Sequence, residues 1–141
     1  RGNAFDWGKT SQDYGKFRDI YPPLFYQKIV ERNCGTAGQE VLDIGTGTGV
    51  LPRNMYRFGA HWTGIDIAPN QIAEAKRLSA GMEISYLVSP AEELDFAGKQ
   101  FDCITACQCY WYFDNQKAAP VFARLLKPHG ELLLLCMDCL L

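Results

Sequence analysis

The sequence has no apolar run long enough to span a bilayer, which takes about 20 residues. Its longest, Leu132 to Met137, is the size of a strand. No basic stretch leads into an apolar one at the N-terminus, so no secretion signal is visible. Repeats and low-complexity segments are also missing. Neither sign of charge dominates: 14 Lys and Arg against 16 Asp and Glu leave a net −2. That balance gives no global electrostatic footprint for nucleic acid. Histidine is scarce. His61 begins a predicted strand and His129 sits in a predicted turn, so both read as solvated rather than catalytic.

What is present suits one globular domain. The 141 residues are 48% apolar and 21% charged, which excludes disorder, collagen and coiled coil. A chain of this size buries roughly two thirds of its unfolded surface. It has six cysteines: Cys34, Cys103, Cys107, Cys109, Cys136 and Cys139. With a core that needs no staples, and most of these residues inside apolar runs, they read as free thiols acting as small hydrophobes. The expected compartment is therefore reducing and cytoplasmic.

Apolar strands alternate with helices along the chain. Pro22 and Pro23 set up a first helix, with Leu24, Phe25, Lys28, Ile29 and Arg32 at helical spacing and Gly35 closing it. Strands are expected at Val41 to Ile44, His61 to Ile67, Ile84 to Val88, Phe101 to Cys107 and Glu131 to Met137. A short helix is expected over Leu51 to Phe58. Pro69 and Gly81 bracket another, with Ile72, Ala75 and Leu78 or Ser79 inward. Asp114 is placed to cap a last helix, in which Ala118, Val121, Phe122 and Leu125 recur at i, i+3, i+4, i+7 and Pro120 must sit in the first turn or kink it. Continuous apolar strands separated by helices predict a parallel sheet covered on both faces. The fold class is α/β: a doubly wound, Rossmann-like, mostly parallel sheet. Residues 1–35 form an N-terminal helical cap segment and 36–141 the α/β core of one domain.

The strongest motif is Val41-Leu42-Asp43-Ile44-Gly45-Thr46-Gly47-Thr48-Gly49. A strand delivers the chain into a turn with Gly at every second position, and the turn opens a helix whose amides favour anionic groups. Asp66 ends the second strand, where a carboxylate accepts from the hydroxyls of a ribose. A dinucleotide fingerprint reads Gly-x-Gly-x-x-Gly. Here the third Gly comes one residue early and Asp43 precedes the first. A carboxylate repels a pyrophosphate and attracts an ammonium. Asp43 and Asp66 together therefore point to a nucleoside bearing an amino acid, S-adenosylmethionine.

On these residues the chain resembles the class I S-adenosylmethionine-dependent methyltransferases. Asp43 to Gly49 matches that family's first motif and Gly64-Ile65-Asp66-Ile67 its second-strand acidic motif. Ala91 to Phe96 is similar to the adenine-side segment, Phe101 to Gln108 to the fourth-strand motif, and Leu125 to Leu132 to the turn into strand five. Tyr14 to Pro23 and Gln108 to Asp114 look most like small-molecule methyltransferases of the ubiquinone-biosynthesis and trans-aconitate type. The resemblance implies cofactor contacts from Tyr14, Arg18, Asp43, Gly45, Thr46, Gly47, Gly49, Asp66, Ile67, Ala91, Glu92 and Cys107. If helical, Tyr14 and Arg18 share a face, and Arg18 is a bidentate donor for the methionine carboxylate. Two departures stand out. Pro90 replaces a common Asp, leaving adenine to Glu92 and the Ala91 amide. Tyr110-Trp111-Tyr112 holds no His, so no catalytic base carries over; Tyr112 and Asp114 are the candidates the sequence offers.

Tyr110 to Phe113 follow strand four at the sheet edge where ligands bind, and are expected to wall an acceptor pocket and to favour a sulfonium. Cys107-Gln108-Cys109 and Cys136-Met137-Asp138-Cys139 are read as core packing, with no metal site, since methyl transfer from a sulfonium needs no Lewis acid. The expected function is S-adenosylmethionine-dependent methyl transfer to a small molecule, without nucleic acid or membrane. A non-catalytic binding module and a nicotinamide-dependent oxidoreductase are the alternatives. The resembled sheet has seven strands and this sequence supplies five. Strand five would be an apolar edge strand, so a C-terminal strand pair, within roughly 80–120 further residues, or another chain is expected to cover it.

Overall fold

A computed structural model of the chain describes residues 22–107 and 115–135. The predictions for Tyr14, Arg18, Cys109, Tyr110 to Asp114, Cys136 and Cys139 lie outside the described residues. Helix α1 spans Pro23–Glu31, strand β1 Glu40–Ile44, α2 Val50–Met55, β2 His61–Asp66, α3 Pro69–Leu78, β3 Ile84–Val88, β4 Phe101–Cys107, α4 Asn115–Leu125 and β5 Leu126–Leu135. Single 3-10 turns lie at Tyr56–Phe58 and Ala91–Glu93. The strands form one sheet in the order β3-β2-β1-β4-β5, every neighbouring pair parallel. This is the predicted doubly wound architecture. Among the described residues, β3 and β5 are its edges.

Alternation along the strands sorts the core into two layers. One face carries Val41, Trp62, Cys103, Leu133 and Leu135, packed against Phe25, Tyr26 and Ile29 of α1 and Leu51 and Met55 of α2. The other carries Leu42, Ile44, Ile65, Ile104 and Ala106, packed against Ala118, Phe122 and Leu125 of α4 and Leu94 after the second 3-10 turn. Helix α3 turns Ile72 and Ala75 inward, as predicted, and of the two alternatives after them it is Ser79, just past the helix, that is buried, with Leu78 half-buried.

Four details correct or complete the sequence reading. In α1, Tyr26 is buried and Leu24 exposed, because the helix settles with Phe25, Tyr26 and Ile29 toward the sheet. Of the two placements open to Pro120, the first turn is not taken: it lies in the interior of α4. Strand β5 begins at Leu126, paired with Phe101. A register shift and a positive φ of 69° at His129 absorb the predicted Lys127 to Gly130 turn before pairing resumes at Glu131.

The fourth is a correction to the expectation of six free thiols: Cys34 and Cys103 form a disulfide. The segment after α1 folds over β4 and brings their Cα atoms to 6.1 Å across a sequence separation of 69, within bridging range. Composition could not reveal that pairing, because it depends on where α1 docks.

Candidate functional site

The C-terminal ends of β1, β2 and β3 converge with the Gly-rich turn. Gly45, Gly47 and Gly49 hold φ of 65°, 59° and 79°, left-handed values that a Cβ strains. Gly49 is doubly constrained, since an added Cβ would also strike the hydroxyl of Tyr86 on β3. A Cβ on Gly47 would meet nothing within 4 Å, so the space beside it is open.

Asp66 closes this turn from β2. Its Oδ2 accepts from the Gly47 amide at 2.9 Å and its Oδ1 from the Ala68 amide at 3.0 Å. A carboxylate has about four lone-pair sites; with the Gly47, Ala68 and Ile67 amides in place, one is left to accept from a hydroxyl. Burial raises its pKa above the usual carboxylate value, against the pull of the Ala68, Gly47 and Ile67 amides. The Asp66 carbonyl also accepts from the Ser89 amide at 3.0 Å, which draws the exit of β3, and with it Ala91 and Glu92, toward the same edge. Ile67 follows with its side chain exposed.

Asp43 lies deeper, in the face of the sheet that holds Val41. Register places Tyr86, Gly64, Asp43, Thr105 and Leu133 in one row across the strands. Thr105 donates to Asp43 Oδ1 and Thr46 to Oδ2, each at 2.7 Å. The side chain is 2% exposed. Burial pushes its pKa up to about 7; the Thr105 and Thr46 hydroxyls lower it and the charge of Asp66 raises it. None of these influences is a cation. The Asp43–Asp66 pair is thus acidic ground that an incoming ammonium would stabilise.

Gly64, quoted in the sequence only as part of a motif, has a spatial reason. A Cβ there would come within 2.7 Å of Thr46 Oγ1 and 2.9 Å of its Cβ. The gap lets Thr46 fold back onto β2, where its amide donates to the Ile65 carbonyl at 2.8 Å.

The structure therefore brings together Asp43, Gly45, Thr46, Gly47, Gly49 and Asp66 as expected. Ala91 is buried with its methyl in the α4-side core, and Glu92 is half-buried beside it. Cys107 ends β4, opposite Leu135 in register. Sequence reading missed Thr105 and Tyr86. Thr105 was visible as a polar residue in an apolar strand, but its partner depended on the β1–β4 register.

The donor set fits S-adenosylmethionine. The space at Gly47 is open, the Gly47 amide donates to the carboxylate of Asp66, and the neighbouring Thr46 donates to the buried Asp43. In the same turn, the buried Thr48 hydroxyl has no hydrogen-bond partner among the described residues.

Residues 42–134 match a family described as "Methyltransferase domain". The chain is 36% identical over 125 residues to the ubiquinone biosynthesis O-methyltransferase of Salmonella paratyphi A, covering 83% of this chain and 51% of that protein. It thus spans about half the length of the curated relatives it matches. A putative S-adenosyl-L-methionine-dependent methyltransferase from Methanococcus maripaludis superposes with a TM-score of 0.83 at 15% identity, covering 96% of this chain and 70% of that one; this likeness concerns the fold. A phosphoethanolamine N-methyltransferase from Haemonchus contortus, solved with S-adenosylhomocysteine, superposes with a TM-score of 0.69 at 30% identity over 77% of this chain and 27% of that one.

Proposed function

The chain belongs to the class I S-adenosylmethionine-dependent methyltransferases, and from that premise we propose that it takes part in methyl transfer from S-adenosylmethionine to a small-molecule acceptor. The observation that carries this reading is the Asp66–Gly47 hydrogen bond. It sets a ribose-binding carboxylate against an open glycine turn, with Asp43 behind it.

In this reading Asp66 accepts from a ribose hydroxyl. Gly45, Thr46, Gly47 and Gly49 shape the floor under the methionine part, and Asp43 favours its ammonium. Ile67, Ala91 and Glu92 flank the adenine, and the backbone at Cys107 borders the site from β4. Tyr14 and Arg18 complete the amino-acid end. The cofactor supplies a methyl group activated on sulfur, with a neutral thioether as leaving group. The chain's task is then mainly proximity and orientation. A base is required only if the acceptor must first lose a proton. Kinship with an O-methyltransferase favours a hydroxyl acceptor. The same reading carries a cytoplasmic location and partners that include neither nucleic acid nor membrane. No helix among the described residues is long and apolar enough to cross a membrane. The Cys34–Cys103 bond removes two thiols from the argument for a reducing compartment.

Calorimetry with S-adenosylmethionine, S-adenosylhomocysteine and NAD tests the reading. Binding of the first two and not the third is expected. Binding of NAD alone, or of none, would overturn it.

A further inference from the structure

Asp43 and Thr105 face each other directly across the β1–β4 ladder. Thr105 is fully buried, and its single hydroxyl proton has two acceptors to choose from: Asp43 Oδ1 at 2.7 Å and the Leu42 carbonyl at 3.4 Å. The shorter contact, to a carboxylate, is much the stronger. Thr46 takes the other oxygen from the opposite side and is itself anchored to β2. The Asp43 carboxylate is therefore fixed at both oxygens by two strands and the turn before any ligand arrives.

We propose that Thr105 is a positioning residue for the cofactor site: with Thr46 it holds the Asp43 carboxylate as an ordered acceptor for the ammonium end of the cofactor. The proposal rests on the functional reading above. Thr105 does not touch the cofactor; it acts through Asp43. Among the described residues, the charged and titratable groups bearing on this carboxylate are few. Asp66 raises its pKa. Tyr86 feels the charge of Asp43 and is pushed up to about 12, chiefly by burial, while Arg53 on α2 acts on Tyr86. Tyr86 therefore does not change charge near neutrality. Asp66 is held by backbone amides that a change at Thr105 leaves in place.

The sign follows. An ammonium favours ionised Asp43, so affinity should fall as pH drops through about 7. Losing a hydroxyl donor destabilises the carboxylate and moves that midpoint upward.

The experiment measures the Kd of S-adenosylhomocysteine for the whole chain from about pH 5.5 to 8.5, the range where carboxylates of raised pKa titrate. Wild type, Thr105→Val and Thr105→Ser are compared. Thr105→Val is expected to bind about tenfold more weakly near neutral pH, with its midpoint about one unit higher, the scale of a hydrogen bond to a charged group. Thr105→Ser should restore both. A uniform loss with an unmoved midpoint, or a Ser variant no better than Val, would overturn the positioning role. Should Thr105→Val not fold, Thr46→Val applies the same test to the other oxygen, with the same shift expected. If the wild type does not bind, the functional reading fails, and the proposal with it. If the wild type binds and the Val variants titrate like it, only the positioning role fails.

Discussion

Strand β1 carries a carboxylate near each end, and the two live in opposite electrostatic worlds. Glu40, at the N-terminal edge of the sheet, has an ammonium and an imidazole beside it: Lys99 Nζ at 3.1 Å and His61 Nδ1 at 2.8 Å. Its pKa is lowered: partial burial, the largest single influence, opposes the shift, and the hydrogen bonds and charges of His61 and Lys99 together outweigh it. Nearby, Asp102 accepts from the Glu40 amide at 2.8 Å and from Lys127 Nζ at 3.2 Å. Asp43, at the C-terminal edge, has hydroxyls and a second carboxylate instead, and its pKa rises. Glu40 and Asp102 at the first edge each have a lysine ammonium as counter-charge within the chain. The carboxylates at the second are buried among neutral donors, an arrangement that costs folding energy and is retained where a ligand supplies the missing charge.

The contrast can be broken most severely by cutting the tether beside it. For a sequence separation of 69, chain entropy assigns the Cys34–Cys103 bond about 4 kcal/mol. Cys34→Ala should lower unfolding free energy on that scale in denaturant titration, yet leave S-adenosylhomocysteine affinity nearly unchanged, because neither sulfur belongs to the acidic edge. Six free thiols in the native, unreduced chain would show the bond absent.

Gly49→Ala attacks the site edge alone. Left-handed backbone plus the clash with Tyr86 should weaken cofactor binding by about 2 kcal/mol or more, seen by calorimetry. Asp66→Ala comes next, at about 1.5–3 kcal/mol of affinity for lost charge-assisted hydrogen bonds. Its effect on stability should be small, since it relieves a buried charge while freeing the Gly47 and Ala68 amides. Equal affinity in Asp66→Ala and wild type would remove the ribose assignment.

The smallest effect belongs to the opposite edge. Glu40→Gln should cost well under 1 kcal/mol of stability, as exposed ion pairs do, and nothing in affinity. Because the folded pKa of Glu40 lies below its ordinary value of 4.5, its contribution is present above that pH and lost as pH falls through the folded value. Thermal melts between about pH 6 and 3 should lose part of their acid slope in the variant.

The strands, the Gly-rich turn and Asp66 were legible in the sequence because each is a local pattern: alternating apolar runs, glycines in series, an acid at a strand end. Local pattern also placed Ile72 and Ala75 inward. It failed where the answer lay in register. Thr105 looks like any β-branched strand residue until β1 and β4 are aligned, and Cys34 like any loop cysteine until α1 docks over β4. Leu24 and Tyr26 exchanged roles for a related reason, since the helical stripe alone does not say how α1 rotates against the sheet.

Gly64 carries a consequence for how the sequence can drift. Any side chain at that position invades the volume of Thr46, and Thr46 in turn supplies one of the two donors to Asp43. The two sites are therefore not free to vary independently. Across related chains, a residue larger than glycine at 64 should be accompanied by a smaller one at 46, and that exchange should itself favour a different partner, or a different acid, at 43. An evolutionary record of positions 43, 46, 64 and 105 should show them changing as a set, while Glu40, three residues from Asp43 on the same strand, drifts on its own.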